Sequence, residues 1–225
     1  MGCVSIPFRS LPHQPKLFVR LIDDYSSVKQ FYAHPPNMDA VKEVAARLDY
    51  PAERRSEVVR ILREQNAAFG ASAATTGNLE KIERGAVAVV SGQQVGLFGG
   101  PAYAIYKALT AIRLAEELSE AGVPAVPIFW MATEDHDLDE VRHVTWFDSG
   151  KLVKFELPPS EVPGRPVGNV RLGAAIEEKV KQAGGFCLGQ RVKRFHKSWN
   201  RVTSPKKPTE ARSANCSRIF LRSRG

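Results

Sequence analysis

From residue 86 to residue 91 the chain reads Ala86-Val87-Ala88-Val89-Val90-Ser91, a run of small and β-branched residues with hardly a polar face. Such a run is the signature of a strand covered on both sides. It passes into Gly92-Gln93-Gln94-Val95-Gly96-Leu97-Phe98-Gly99-Gly100-Pro101, then into a helically periodic segment, then into a second apolar run, Val126-Pro127-Ile128-Phe129-Trp130-Met131. Strand, glycine loop, helix, strand is one βαβ unit, and it predicts an α/β fold built on a parallel sheet. In such units the loops that follow the strands open on one crevice, where ligands bind. The second strand ends in Thr133-Glu134-Asp135-His136-Asp137. A ligand site at that rim, and an enzyme, are the expectation.

The unit is clearly punctuated. Pro101 suits a first helical turn, where its missing N–H is harmless. Ile105, Leu109, Ile112, Ala115 and Leu118 form the expected buried stripe, with Arg113, Glu116, Glu117 and Glu120 facing water. Gly122 and Pro124 stop the helix. Pro127 sits awkwardly in a strand that should be central, because it lacks a donor for the ladder. Downstream, residues 145–147 and 152–157 flank Asp148-Ser149-Gly150 and predict a hairpin. The prolines and glycines of 158–168 predict a stiff irregular loop, and 174–182 a short helix.

Ahead of the unit, the spacing predicts a helix over about 16–32 between proline-rich loops. A second is expected over 38–48 on Val41, Val44, Ala45 and Leu48, and a third over 51–69 on Val58, Ile61, Leu62, Gln65 and Phe69. The small residues of 71–78 read as a loop. Residues 1–80 are therefore a helical N-terminal extension, and 81–185 carry the sheet.

Several classes fall away on composition. No run reaches the roughly 18 to 20 consecutive apolar residues of a membrane span, and no basic segment followed by an apolar run marks a signal peptide. The three cysteines, Cys3, Cys187 and Cys216, form no metal-like or disulfide framework, which fits a reducing cytoplasm. The net charge is +8, yet eleven of the 32 Lys and Arg and only one of the 24 acidic residues (Glu210) follow residue 185. The last forty residues thus carry +10 and the first 185 carry −2. Nucleic-acid binding would have to come from that tail alone, and no nucleic-acid partner is expected.

The chemistry gathers at the two turns of the βαβ unit. Glycines at 92, 96, 99 and 100 match neither the dinucleotide fingerprint nor the phosphate loop, so tight packing turns remain an alternative. A glycine loop feeding a helix N-terminus nonetheless suits an anion, and Gln93 and Gln94 are polar groups that a packing turn does not require. Lys107 leans back along the helix toward the loop, with Tyr103 four residues earlier on the same face. Glu134, Asp135, His136 and Asp137 crowd like charges together, which raises carboxylate pKa values unless a cation or a function compensates. Three roles are open to them: general base, partner for a substrate ammonium, or metal ligand. No metal is predicted from their spacing.

The segment from Ser91 to Lys107, followed by Thr133-Glu134-Asp135-His136-Asp137, resembles the bacillithiol biosynthesis cysteine-adding enzymes, the cysteine ligases. The same order holds for Phe31-Tyr32, Gln65-Asn66 and Pro163-Gly164-Arg165-Pro166-Val167-Gly168, so the resemblance spans about residues 10–184. It implies a Rossmann-like core, a cytoplasmic enzyme, and addition of cysteine to glucosaminyl malate. It also implies a C-terminal coiled coil that pairs two subunits in a homodimer.

Joining a cysteine carboxyl to a sugar amine needs carboxyl activation, for which ATP is the expected co-substrate, and a base for the amine's proton. Gly92, Gln93, Gln94, Gly96, Gly99, Gly100, Tyr103 and Lys107 are the expected anion or substrate binders. Glu134, Asp135, His136 and Asp137 are the expected catalytic residues. The alternative is a nucleotide- or sugar-phosphate-binding module without ligase chemistry. The resemblance ends near residue 185, where the second half of the core and the coiled coil would follow. Residues 186–225 read as a frame-shifted or truncated tail, and the fragment is not expected to be active by itself.

Overall fold

The computed structural model describes residues 5–148, 150–159 and 164–186 of the 225. The basic segment 187–225, all three cysteines, Ser149 of the hairpin turn and Pro163 lie outside these residues. Contacts divide the chain into two compact units, Met1–Tyr50 and Pro51–Gly225.

In the first unit, α1 (Lys16–Asp23) starts after Pro15, and α2 (Met38–Arg47) is capped by the Asn37 side chain, which accepts the Ala40 N–H at 2.9 Å. The single helix expected over 16–32 is broken at Asp24, whose φ of −150° is not helical. Ser26 Oγ donates to the Asp24 carboxylate at 2.6 Å and Ser27 Oγ to the Asp24 carbonyl at 2.9 Å. Local bonds of this kind compete with the helix, and two 3-10 turns, Tyr25–Ser27 and Lys29–Phe31, replace its second half.

The second unit begins with α3 (Ala52–Phe69), closed by Gly70 in the left-handed region at φ +79°. It continues into α4 (Ala73–Glu83), where a loop was expected over 71–78. Ser72 is the reason: its Oγ accepts the Thr75 N–H at 3.2 Å and so starts a helix, while Leu79 and Ile82 bury its far end with Val59, Ala86 and Val126. Packing here overrides the poor propensities of Thr75, Thr76 and Gly77. The inward stripe of α3 also differs from the expected one. Val59 is fully buried and Ile61 is 39% exposed. Arg55, four residues before Val59, donates to the carbonyls of Ile82 and Ala86 at 3.1 Å each and so ties α3 to the end of α4.

β1 (Val87–Gln94) pairs in parallel with β2 (Ala125–Ala132), in the register Val87 with Ala125 through Gln94 with Ala132. The strand therefore runs three residues past Ser91, and Gly92, Gln93 and Gln94 belong to it. The connection is α5 (Ala102–Glu120), which lies against both strands. Pro101 precedes α5 in extended conformation, one position earlier than expected. The Val87 N–H donates to the Pro124 carbonyl at 2.9 Å, and with parallel alternation this turns the nitrogen of Pro127 away from β1. The proline therefore breaks no bond between the two strands.

The stripe of α5 that packs inward is Ala104, Ala111, Ala115 and Leu118, all buried. Ala115 and Leu118 were expected; Ile105, Leu109 and Ile112 are 45%, 52% and 40% exposed. Small residues let the helix backbone approach the strands closely, so the bulkier aliphatic row is rotated outward.

After β2 come α6 (Leu138–Val141) and an antiparallel hairpin of β3 (His143–Asp148) and β4 (Lys151–Glu156), as expected. α7 (Ala175–Phe186) supplies Ile176, Val180 and Ala183 to a core with Val144, Phe155 and Leu157. Leu97 of the glycine loop is buried in the same core. Phe98 stands beside it at ring-centroid distances of 5.4 Å from Trp146 and 5.6 Å from Phe155. The glycine loop is thus anchored by apolar burial at its middle.

Candidate functional site

Two turns make the site, the glycine loop at the end of β1 and the acidic turn at the end of β2. The parallel register lays Gln93 beside Met131 and Gln94 beside Ala132, so both turns leave the sheet at one rim. Gly92 is what allows this pairing. A Cβ there would stand 2.6 Å from the Trp130 carbonyl oxygen and 2.9 Å from Trp130 Cβ, inside van der Waals contact. Gly96 meets Gly100 as closely, its would-be Cβ lying 2.7 Å from Gly100 Cα. Between them Phe98 takes a left-handed φ of +53°, a conformation uncommon for a bulky side chain, and its aromatic neighbours hold it there.

The loop's N–H groups are divided. Gly99 donates to the Gly96 carbonyl and Gly100 to the Leu97 carbonyl, both at 3.0 Å. No side chain caps the start of α5, which turns the positive end of the helix to the rim. Lys107 reaches back to the end of β1, as expected from the lean of helical side chains. Its Nζ donates to the Gly92 carbonyl at 3.3 Å and to Gln93 Oε1 at 2.9 Å, and lies 5.4 Å from the centre of the Tyr103 ring. Tyr103 Oη also accepts from Gln93 Nε2 at 3.4 Å. An open groove of about 360 Å³ runs beside Lys107 between β1 and α5, lined by Val90, Ser91, Tyr106 and Leu114.

Across the rim, Gln94 Nε2 donates to Asp135 Oδ2 at 2.8 Å and to Glu140 Oε2 at 3.0 Å. Glu134 is held outward by the Trp130 indole N–H at 3.3 Å. Asp137 is committed to α6, since its carboxylate accepts the Glu140 N–H at 3.1 Å. His136 is exposed beside them. Glu140 joins the site although it was not among the expected residues. Its signal lay in the spacing of Asp137 and Glu140, a cap followed three residues later by a glutamate, which is how a helix start brings two acids together.

Crowding of like charges was expected to raise the carboxylates. For Asp135 the opposite holds. The backbone N–H of Asp137, at 3.0 Å from Oδ1, and then the Gln94 amide hold its carboxyl below the ordinary aspartate value. Hydrogen bonds to the ionised form outweigh the neighbouring acids. Asp135 is therefore an anion at neutral pH. At the far end of the turn, Arg142 pairs with Asp139 at 2.6 Å and Glu156 at 2.8 Å, and it donates to the Leu157 carbonyl at 2.6 Å.

The proline and glycine loop has a definite task that its composition did not disclose. Val167 N–H donates to the Asp135 carbonyl at 2.7 Å, and Gly168 N–H to the Thr133 carbonyl at 2.9 Å. These two bonds strap residues 166–168 along the acidic turn. Among the described residues, no three His, Cys, Asp or Glu side chains are grouped so as to hold a metal. No helix among them is long and apolar enough to cross a membrane.

The family described as "Bacillithiol biosynthesis BshC, N-terminal Rossmann-like domain" matches residues 1–203. The chain belongs to this family. The match runs past residue 185, where the resemblance read from the motifs ends. Among the relatives, proteins named "Putative cysteine ligase BshC" are 43% identical over 195 residues in Solibacter usitatus, covering 85% of this chain and 36% of the relative. The corresponding protein of Koribacter versatilis is 38% identical over 178 residues, covering 79% of this chain and 34% of the relative. A Geobacillus relative is 45% identical over 120 residues, covering 52% of this chain and 22% of the relative. The chain thus spans about a third of the length of the first two relatives. The Rossmann-like, α/β expectation holds for this family domain.

Proposed function

We propose that this domain carries ligand-binding residues of a cytoplasmic cysteine ligase of bacillithiol biosynthesis, which joins the carboxyl of cysteine to the amine of glucosaminyl malate. The observation that supports it most is the link from Gln94 to Asp135, 2.8 Å long, which joins the glycine-loop end of β1 to the acidic turn. A cationic pole and an anionic pole thereby share one rim.

Amide formation divides naturally between two such poles. A carboxylate is a poor acyl donor, because its oxygen does not leave. ATP supplies the activation by turning that oxygen into a phosphate-bearing leaving group. The uncapped start of α5 and the free N–H of Lys107 offer binding for phosphate or for the malate carboxylates. The attacking amine arrives as an ammonium and must lose a proton. Asp135, held ionised, suits the binding of that ammonium better than the removal of its proton. Exposed His136, whose imidazole offers a nitrogen lone pair, suits proton acceptance. Glu134 and Asp137 frame the turn on either side.

Isothermal calorimetry with ATP, cysteine and glucosaminyl malate tests the reading. A ligase domain binds all three, and Lys107→Ala weakens the anionic ligands at least about tenfold by removing a charge-assisted bond. A second reading, supported by the uncapped start of α5 beside the glycine loop, is a nucleotide- or sugar-phosphate-binding module without ligase chemistry. Binding of ATP or the sugar ligand with no binding of cysteine selects that reading. Homodimer formation through a coiled coil is a proposal for the relatives' longer chains.

A further inference from the structure

Two glutamine side chains stand between Lys107 and the acidic turn, and their hydrogen bonds have a direction. We propose that Gln93 and Gln94 are positioning residues, a relay of two amides that runs head to tail from the Lys107 ammonium to the Asp135 and Glu140 carboxylates and holds both poles in place. Its functional meaning rests on the ligand-site reading above; the relay itself is a property of the chain.

The direction follows from what each group can do. An ammonium only donates, so Gln93 must turn Oε1 toward Lys107 Nζ, 2.9 Å away. This turns Gln93 Nε2 toward Gln94 Oε1 at 3.1 Å and Tyr103 Oη at 3.4 Å. Gln94, with its oxygen so engaged, presents Nε2 to Asp135 Oδ2 at 2.8 Å and Glu140 Oε2 at 3.0 Å. Ionised carboxylates only accept, so the far end demands the same orientation. Each amide is therefore fixed from both sides. Turning Gln93 over would set N–H against an ammonium, and turning Gln94 over would set a carbonyl oxygen against two carboxylates.

Two consequences follow. Both N–H bonds of each amide, and the oxygen of each, are engaged within the chain, so a ligand meets the two ends of the relay and not the glutamines. Lys107 has a third N–H for it, and Glu140 the carboxylate oxygen that Gln94 does not hold. Gln94 also divides its two N–H bonds between two acids, so a single amide holds both carboxylates. Aligned amides polarise one another, so the charge of Lys107 is felt at Asp135 through the bonds as well as through space. The other groups facing Asp135 are the backbone N–H groups of His136 and Asp137, the His136 imidazole, and Glu140 across the shared amide.

Carbon-detected NMR of the 225-residue chain tests this by following the Asp135 carboxyl through an acid titration. Four proteins are compared: the unchanged chain, Lys107→Met, Gln93→Leu, and the double variant. Lys107→Met is expected to raise the Asp135 midpoint although the two side chains do not touch. Gln93→Leu is expected to raise it as well. In the double variant the further rise on removing Lys107 should be clearly smaller than the rise Lys107→Met causes in the unchanged chain, because only the through-space part remains once the relay is cut. A midpoint indifferent to Lys107→Met overturns the relay, and so does a Lys107→Met shift that persists in full on the Gln93→Leu background. The backbone amide spectrum of β3 and β4 reports folding in each variant. If a variant unfolds, the unchanged protein decides: the Gln94 side-chain amide protons must shift with the Asp135 titration, and solvent-like values that do not move overturn the proposal. The calorimetry described above bears on the ligand reading separately. A chain that shows the coupling but binds no ligand keeps the relay and loses that reading; a chain that binds without coupling does the reverse.

Discussion

Gly92 has no room for a side chain, and the reason lies in another strand. The 2.6 Å approach to the Trp130 carbonyl exists because β1 pairs with β2 through Gln94, beyond the apolar run. A methyl group there must part the strands. Gly92→Ala is expected to destabilise the second unit by about 1–3 kcal/mol, in the range of an overpacked core, and to weaken ligand binding by moving Gln93 and Gln94 from their partners. Urea melts followed by tryptophan fluorescence read the first effect, since Trp130 and Trp146 belong to this unit, and calorimetry reads the second. The glycines, Lys107 and the acidic residues were legible as a cluster because motif and spacing are properties of the chain order. The destination of each side chain was not. Asp137 turned to capping a helix, and Glu140 came in through the same cap.

Among the elements, α4 shows how one hydroxyl decides between loop and helix. Residues 71–78 carry the composition of a loop, but Ser72 Oγ takes up an N–H that would otherwise be unpaired at the helix start. Ser72→Ala is expected to cost about 1 kcal/mol, with the loss concentrated in faster amide exchange over the first turn of α4. Exchange mass spectrometry that finds the whole unit equally affected would contradict a local cap. β1, α5, β2 and the hairpin were readable because apolar runs with turn signals between them have few alternatives. The faces of α3 and α5 were not. Neighbouring apolar residues such as Val58 and Val59 lie about 100° apart on a helix, and only the partner surface selects one. Val59 went to the core of α4, and in α5 the alanines faced the strands while Ile105, Leu109 and Ile112 turned outward.

For the molecule as a whole, hydrogen-bonded carboxylates are expected to set the acid limit of stability. The hydroxyls of Ser26 and Ser27 lower Asp24, the Asp137 N–H and Gln94 lower Asp135, and Lys154 with Arg142 lowers Glu156. A carboxyl whose folded value lies below its unfolded value stabilises the fold fully above the unfolded value, 3.8 for aspartate and 4.5 for glutamate. That contribution is lost as the pH falls through the folded value. Urea midpoints are expected to be flat from about pH 7 to about pH 5 and to fall below about pH 4, and Asp135→Asn should flatten part of the acid limb. A midpoint that rises on acidification would contradict the sign.

The sequence by itself determined the α/β class, the βαβ order, the hairpin, and the two turns rich in glycine and in acid, because local periodicity and backbone allowance act over a few residues. Tertiary structure alone decided which face of each helix is buried, that residues 166–168 strap the acidic turn, and that two glutamines link Lys107 to Asp135. These are contacts between residues forty or so apart or set by a neighbouring surface. Their free energy arises only when packing brings the partners together, and so it leaves no trace in a local pattern.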